Sequence, residues 1–286
     1  MEGRPLNAIW EKGVSRMRID SFLRVQRDLK QSHIAMDRAL QQLSSQKRIN
    51  SAADDSVGLR LVKGLESRIR SLQQVNAKNI PSGKSLLTSA KSALLDLKSK
   101  LNEAQLVAVQ ATDPDISQAK RDELNIAFQE ILSEAQSMAQ NVNWNGNNLL
   151  NGDLNVQLQV GAEVGDRFSF SIKSFSLEAQ GLNNLDFSDV ASAKEAVTAV
   201  ELAMSKIEGT ISKVDSWDTS LSSLSTSNIV RITTLQEAKD TRELINLPEV
   251  TLQYETSRLN LETQSSLLTS SLEFQASLFQ SLIRRF

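Results

Sequence analysis

The chain has 286 residues, 32 basic and 34 acidic side chains, a net charge of −2 and no cysteine. That balance offers no basic surface for nucleic acid or an anionic membrane, and the missing thiols exclude disulfides and thiol catalysis. Aromatics make up 5% of the residues, beside four prolines and eleven glycines; bulky core-filling groups are scarce and helix breakers are few. The expected class is mainly α: an elongated rod of long antiparallel helices, coiled coil or bundle, with one β-hairpin region. No apolar run reaches the roughly 18 residues of a membrane-spanning helix.

Met1 to Arg16 lacks the apolar stretch of a Sec signal. From Ile19 to Leu43 the pattern is helical, with Phe22, Leu29, Met36 and Leu43 at heptad spacing. Residues 43–58, Leu-Ser-Ser-Gln-Lys-Arg-Ile-Asn-Ser-Ala-Ala-Asp-Asp-Ser-Val-Gly, form a polar hinge. Ser51 is the expected N-cap there, and Asp54 and Asp55 place negative charge in the first turn of a helix starting near Ala53. Val62, Leu65, Ile69 and Leu72 carry that helix toward Asn79, and Pro81 with Gly83 predicts an interruption and a kink.

Leu87, Ala90, Leu94, Leu97, Leu101, Ala104 and Ala108 then alternate steps of three and four, a narrow coiled-coil seam. Thr112-Asp113-Pro114-Asp115 ends it. The returning helix, Ile116 to Val142, shows Leu124, Phe128, Ile131, Ala135, Met138 and Val142 on one face, and the short loop makes the two helices antiparallel neighbours. After two Asn-Gly turns, at Asn145-Gly146 and Asn151-Gly152, the period changes to two. Leu154, Val156, Leu158 and Val160, then Phe168, Phe170 and Ile172, predict a β-hairpin closed by Gly161–Asp166, its apolar face against the helices. Residues 173–190 read as a short linker. Helical pattern returns from Ser192 to about Ile245, with Val200, Ala203, Ile207, Ile211 and Val214 on one side. Leu247-Pro248-Glu249 punctuates it, and the last helix, Glu249 to Arg285, carries Val250, Tyr254, Leu261, Leu268, Leu272, Phe279 and Ile283.

No constellation supports catalysis, so the chain is not expected to be an enzyme, and no cofactor or metal residue is assigned. The single histidine, His33, lies on the first helix near its apolar seam. Asp54 and Asp55 are adjacent and do not share a helix face. Gly161-Ala-Glu-Val-Gly165 lacks the Lys-Ser/Thr of a phosphate loop, Asn145-Gly146 has no Ser or Thr at the third position, and Trp144 reads as a packing anchor. The chain ends are instead long amphipathic helices with thin stripes that cannot be covered alone, and neighbouring copies are the expected remedy.

The hinge string resembles the flagellin segment Leu-Ser-Ser-Gly-x-Arg-Ile-Asn-x-Ala-x-Asp-Asp-x-x-Gly, matched by Leu43, Ser44, Ser45, Arg48, Ile49, Asn50, Ala52, Asp54, Asp55 and Gly58. Gln46 stands where that family has Gly; a positive φ there would be resisted by a side chain. Ala108-Val109-Gln110-Ala111-Thr112, Trp144-Asn145-Gly146-Asn147-Asn148-Leu149-Leu150 and Val156-Gln157-Leu158-Gln159-Val160-Gly161 are similar to further flagellin motifs, in family order. The resemblance covers about residues 17 to 175; the last ninety residues resemble the family in length and helicity.

The resemblance implies a structural subunit that polymerises into the bacterial flagellar filament for motility, secreted and extracellular, with termini paired as a coiled coil in the filament core. The implied organisation is 1–16 an extension or a mis-assigned start ahead of Met17, 17–50 a core helix, 51–175 the N-terminal half of a rod domain, 176–191 a linker in place of outer domains, 192–246 the C-terminal rod helix and 247–286 a second core helix. The expected self-assembly residues are Phe22, Leu29, Met36, Leu43, Arg48, Asn50, Asp54, Asp55, Leu268, Leu272, Phe279 and Ile283. Implied partners are other copies and other flagellins, the flagellar export apparatus, the filament cap and hook-junction proteins, and an export chaperone at the C-terminus. The alternative within the same superfamily is a hook–filament junction protein, which also starts Met-Arg-Ile, as at Met17-Arg18-Ile19. A free coiled-coil scaffold is a third class, disfavoured if secretion requires flagellar export. Many flagellins carry Arg-x-Arg-Glu-Leu before the Ala-Val-Gln motif, where an innate immune receptor binds. Here Glu103, Ala104, Gln105, Leu106 and Val107 align, so weak receptor activation is expected.

Overall fold

The computed structural model describes the backbone of residues 6–284, and side chains from Phe22 onward except at Gln275, Leu278, Phe279, Ser281, Leu282 and Ile283. Within these residues seven helices and four short strands follow in the order α1 (Leu6–Ser45), α2 (Ser56–Gln74), a π turn (Val75–Asn79), α3 (Ile80–Ala111), α4 (Gln118–Asn141), β1 (Asn143–Trp144), β2 (Asn147–Asn148), β3 (Leu154–Gln159), β4 (Arg167–Ile172), α5 (Leu177–Gln180), α6 (Val190–Glu243) and α7 (Leu247–Ile283). They form two compact units: residues 1–65 with 237–286, and residues 66–236. The mainly helical class with one hairpin region is the one expected.

The second unit is built on α3, α4 and α6. Every residue of the predicted α3 seam, Leu87 through Ala108, is buried. The small side chains of Ala90, Ala104 and Ala108 let neighbouring helices approach closely, while the leucines fill the layers between. Charged and polar pairs tie α3 to α6: Lys84–Asp218 at 3.5 Å, Lys91–Asp215 at 2.6 Å, Lys98–Glu208 at 2.7 Å and Gln105–Glu201 at 2.9 Å. Positions rise on one helix as they fall on the other, so the helices run antiparallel. Exposed pairs of this kind add little stability, and their use here is to fix register.

Helix α4 starts at Ser117, whose hydroxyl accepts from the Lys120 N–H, one residue after the Ile116 expected. Its buried face is Arg121, Phe128, Leu132, Ala135 and Ala139. Ile131 and Met138, assigned to the apolar face from sequence, are half-buried at its edge; the helix is rotated toward the smaller Ala139. Arg121 is buried because its guanidinium caps the end of α3, donating to the Ala111 and Asp113 carbonyls at 3.1 and 3.0 Å.

Pro81 does not interrupt the helix as predicted. The chain widens for one turn at Val75–Asn79, where the Ile80 N–H reaches the Val75 carbonyl, and Pro81 occupies the first turn of α3. In a regular α-helix the Pro81 ring would crowd the carbonyl four residues back, and a π turn is one way to relieve that. The turn is pinned by amides. Asn76 Nδ2 donates to the Ser225 carbonyl (3.0 Å), Asn79 Nδ2 to the Gln159 carbonyl (3.1 Å), and Asn228, 2% exposed, donates to Val160 O (2.7 Å) and Asn76 Oδ1 (3.2 Å).

Strands β3 and β4 pair antiparallel, with Val156 opposite Phe170 and Leu158 opposite Phe168. The alternate residues Leu154, Val156, Leu158, Phe168, Phe170 and Ile172 face the helices, as the two-residue period required. Leu158 packs where a side chain on Gly83 would sit, 2.6 Å from an added Cβ, which explains that glycine. Asn145 (φ 49°) and Gly146 (φ 80°) form the tight turn between β1 and β2. Residues 173–190, read as a linker, pack instead: Phe175, Leu182 and Phe187 are buried, and the Phe187 ring lies 4.8 Å from that of Phe128. Asp189 then caps α6 by accepting from the Ser192 N–H at 2.7 Å, which holds its carboxyl below the ordinary range.

Candidate self-assembly interface

The first unit contains α1, the hinge and α7. The hinge folds around two carboxylates with different tasks. Asp54 Oδ2 accepts from the Asn50 N–H (3.1 Å), the Ser51 N–H (2.9 Å) and the Ser51 hydroxyl (3.1 Å), while Oδ1 takes a two-pronged contact from Arg38 Nε (3.0 Å) and Nη2 (2.7 Å). The Arg38 guanidinium is the main reason the Asp54 carboxyl is held down at about 2. Asp55, not Ser51, is the N-cap: its Oδ1 accepts from the Gly58 N–H at 2.7 Å and α2 begins at Ser56 rather than near Ala53. Ser51 serves the Asp54 turn one step upstream. Gly58 is required because an added Cβ would lie 2.2 Å from the Asp55 carboxylate and 2.7 Å from Ile49.

This hinge is clasped to residues 242–245. The Arg48 N–H donates to the Glu243 carbonyl (2.7 Å), Arg48 Nη2 to the Arg242 carbonyl (3.1 Å), and the Ile245 N–H to the Gln46 carbonyl (3.4 Å), with Lys47 and Leu244 in an antiparallel bridge. Arg48 also lies 3.7 Å from Asp55. Glu243 is buried between Lys47 Nζ (2.5 Å) and Lys239 Nζ (3.3 Å). Burial pushes its carboxyl up, but the two ammonium groups outweigh that and leave it below the usual range. Gln46 sits just past the end of α1 with φ 56°, so the family's glycine position does need the left-handed conformation and Gln adopts it under strain.

Beyond the clasp, α1 and α7 pack on each other. The end of α1 lies beside the start of α7, so the pair is antiparallel. Phe22, Val25, Leu29, Ser32, Met36, Ala39 and Leu43 are the covered positions of α1, and Val250, Tyr254, Ser257, Leu261, Gln264 and Leu268 recur at the same steps on α7. Phe22, Leu29, Met36, Leu43 and Leu268 thus meet the partner helix within the chain, and the surface left open is a different one. Leu23, Ile34 and Leu40 on α1, and Leu252, Leu259 and Leu267 on α7, are exposed, Leu252 to 68%. Leu272 belongs to this open set. A groove of about 550 Å³ runs between the helices, with Ile34 and Leu252 at its lips and Ala35, Ala39 and Ser257 among its lining. Phe279 and Ile283 lie outside the described residues. His33 is exposed on α1.

Of the expected interface residues, the structure therefore brings Arg48, Asn50, Asp54 and Asp55 together in the clasp and sets Phe22, Leu29, Met36, Leu43 and Leu268 along the α1–α7 seam. Sequence reading missed Arg38, Glu243 and the 242–245 segment, and it missed the open apolar line. Leu252, Leu259 and Leu267 do recur at helical spacing, which was the available signal. Among the described residues no cluster of His, Asp and Glu could hold a metal, and no helix is long and apolar enough to cross a membrane.

Residues 21–154 match the family model for the bacterial flagellin N-terminal helical region. A flagellin of Halalkalibacterium halodurans is 31% identical over 167 residues, 57% of this chain and 61% of that protein. A Salmonella muenchen flagellin is 29% identical over 179 residues, 63% of this chain and 35% of that one. The chain thus spans from about a third to three fifths of the length of these relatives. Among solved structures, a putative flagellar hook-associated protein from Vibrio parahaemolyticus aligns with TM-score 0.55 at 12% identity, covering 67% of this chain and all of that one, a likeness of fold. Bacillus cereus flagellin aligns with TM-score 0.45 at 21% identity over 52% of this chain.

Proposed function

We propose that this chain, whose residues 21–154 match the bacterial flagellin N-terminal helical region, is a structural subunit that polymerises through its α1–α7 unit into the flagellar filament. The observation that carries the reading is the uncovered apolar line on that unit. Two helices can cover only one stripe each between them; Leu23, Ile34, Leu40, Leu252, Leu259 and Leu267 remain in water on the rest. Each such side chain gains roughly 1.5–3 kcal/mol on full burial, and a lattice of copies supplies the missing walls. The clasp supports this by holding the first turn of α7 against the end of α1, so the groove and its flanking leucines form one preset surface. The role is mechanical and no catalytic activity is assigned.

Secretion through the flagellar export apparatus, and contacts with the filament cap, hook-junction proteins and a C-terminal chaperone, belong to this proposal. The hook–filament junction reading gains nothing over it, because the likeness to the Vibrio protein is one of fold alone. The test is to concentrate the full chain with and without sheared fragments of its own polymer and follow length by electron microscopy. Elongation from seeds, lost in Leu252→Glu and Ile34→Glu, is expected. A protein that stays monomeric and fully helical with seeds present would refute the assignment.

A further inference from the structure

We propose that the groove between the hairpin β3–β4 and α6 binds an anionic saccharide of the uronic-acid type. The groove holds about 640 Å³ and is lined by Asn155, Gln157, Ser169, Ser171, Lys213 and Trp217, with Val156, Phe170 and Lys173 at its margins. That volume lies within the range of small-molecule sites. Its composition is unlike the rest of an aromatic-poor chain. The indole of Trp217 is half-buried and backed by the Phe170 ring, 5.4 Å away at 31°, which holds one of its faces in place. A fixed, partly exposed indole is a platform for the C–H face of a pyranose, because it presents a flat apolar body at little entropic cost.

Polar groups converge on the same groove and are largely unspent. The pairs Asn155–Ser171 and Gln157–Ser169 stand side by side across the strands. The Ser169 and Ser171 hydroxyls have no hydrogen-bond partner among the described residues. Asn155 Nδ2 makes only a long contact to the Asp153 carbonyl (3.5 Å), and Gln157 uses only its oxygen, accepting from Arg167 (3.2 Å). Hydroxyls and amides of this kind match the mixed donors and acceptors of a sugar ring.

Charge narrows the class. No carboxylate lines the groove. Lys173 is committed to Asp153 at 2.6 Å. The nearest acids on α6, Asp215 and Asp218, pair with Lys91 and Lys84. Lys213, one turn before Trp217, makes no ion pair among the described residues. It is the free charge of the site, and a sugar carboxylate over the indole would reach it. A neutral sugar would leave that ammonium idle.

The experiment titrates the full chain, as monomer, with digalacturonate and with cellobiose as the neutral comparator, by calorimetry up to about 10 mM. Binding of digalacturonate that weakens with added salt is expected, with cellobiose at least about fivefold weaker. Lys213→Gln, a solvent-facing change, lowers digalacturonate affinity by about fivefold while far-ultraviolet dichroism stays unchanged. Ser171→Ala weakens both sugars. Trp217→Phe tests the platform, with Lys213→Gln as the safeguard if packing against Phe170 suffers. No heat with either sugar, equal binding of the two, or affinity untouched by Lys213→Gln would overturn the proposal. The outcome is independent of whether the chain polymerises.

Discussion

Replacing Gln46 by Gly isolates the strain in the hinge. A side chain in the left-handed region costs roughly 1–2 kcal/mol, and Gln46 at φ 56° bears that cost. Glycine removes it but adds freedom to the unfolded chain, giving back roughly 0.5–1 kcal/mol. The net expectation is a clasp tighter by about 0.5–1 kcal/mol, or local opening about two- to fivefold rarer. Native-state hydrogen exchange reads this directly, at the Arg48 amide bonded to Glu243 and the Ile245 amide bonded to Gln46. Exchange at Leu101, deep in the other unit, serves as the internal control. Unchanged or faster exchange at Arg48 and Ile245 would show that the Gln46 conformation is not a strained one and that the reasoning fails.

Gly58→Ala should do the reverse: with an added Cβ 2.2 Å from the Asp55 carboxylate and 2.7 Å from Ile49, the cap must break or Ile49 must move, and a loss of about 1–3 kcal/mol is expected in urea unfolding. Acid should loosen the clasp. The folded Asp54 carboxyl sits at about 2 against an ordinary 3.8, so its contribution is complete above about 4 and disappears as pH falls toward 2. Glu243, also held low, shifts stability in the same direction. Arg38→Gln removes the larger cause at Asp54, and its melting temperature should fall less between about pH 5 and about pH 2.5 than that of the parent; parallel curves would contradict the pairing. The stretch Glu103–Val107, with Glu103 bonded to Lys100 and Gln105 to Glu201, lacks the arginines of the receptor-contacting pattern, and monomer should signal weakly in a flagellin-receptor reporter cell; strong signalling would refute this.

Features set by neighbours in sequence were legible beforehand. The α3 seam from Leu87 to Ala108 and the hairpin alternation came directly from period, because burial repeats wherever the element does. The hinge was legible as a string, yet its chemistry was misassigned: Ser51 and Asp55 are both good caps, and only the turn around Asp54 decides that Ser51 is used upstream. Pro81 suggested a break because a proline's cost is local, while its relief by a wider turn depends on Ser225 and Asn228, 149 and 152 positions along the chain from Asn76. The clasp partner 242–245 could not be read at all. It pairs through backbone groups, which leave no side-chain pattern. Residues 173–190 looked like a tether because the spaced Phe175, Leu182 and Phe187 lack a period; they pack individually into gaps of the core.

The π turn before Pro81 also sets a tolerance on chain length. One residue more than an α-helix needs is stored at Val75–Asn79, and each helical residue contributes about 100° of rotation. Removing any one residue of that stretch would let a plain α-helix run through, and Ile69 and Leu72, now buried, would swing a quarter-turn or more out toward water. A deletion that changes composition by a single asparagine or lysine would thus damage this unit more than most substitutions in its core, and insertions elsewhere in α2 would be equally ill-tolerated unless the bulge absorbed them.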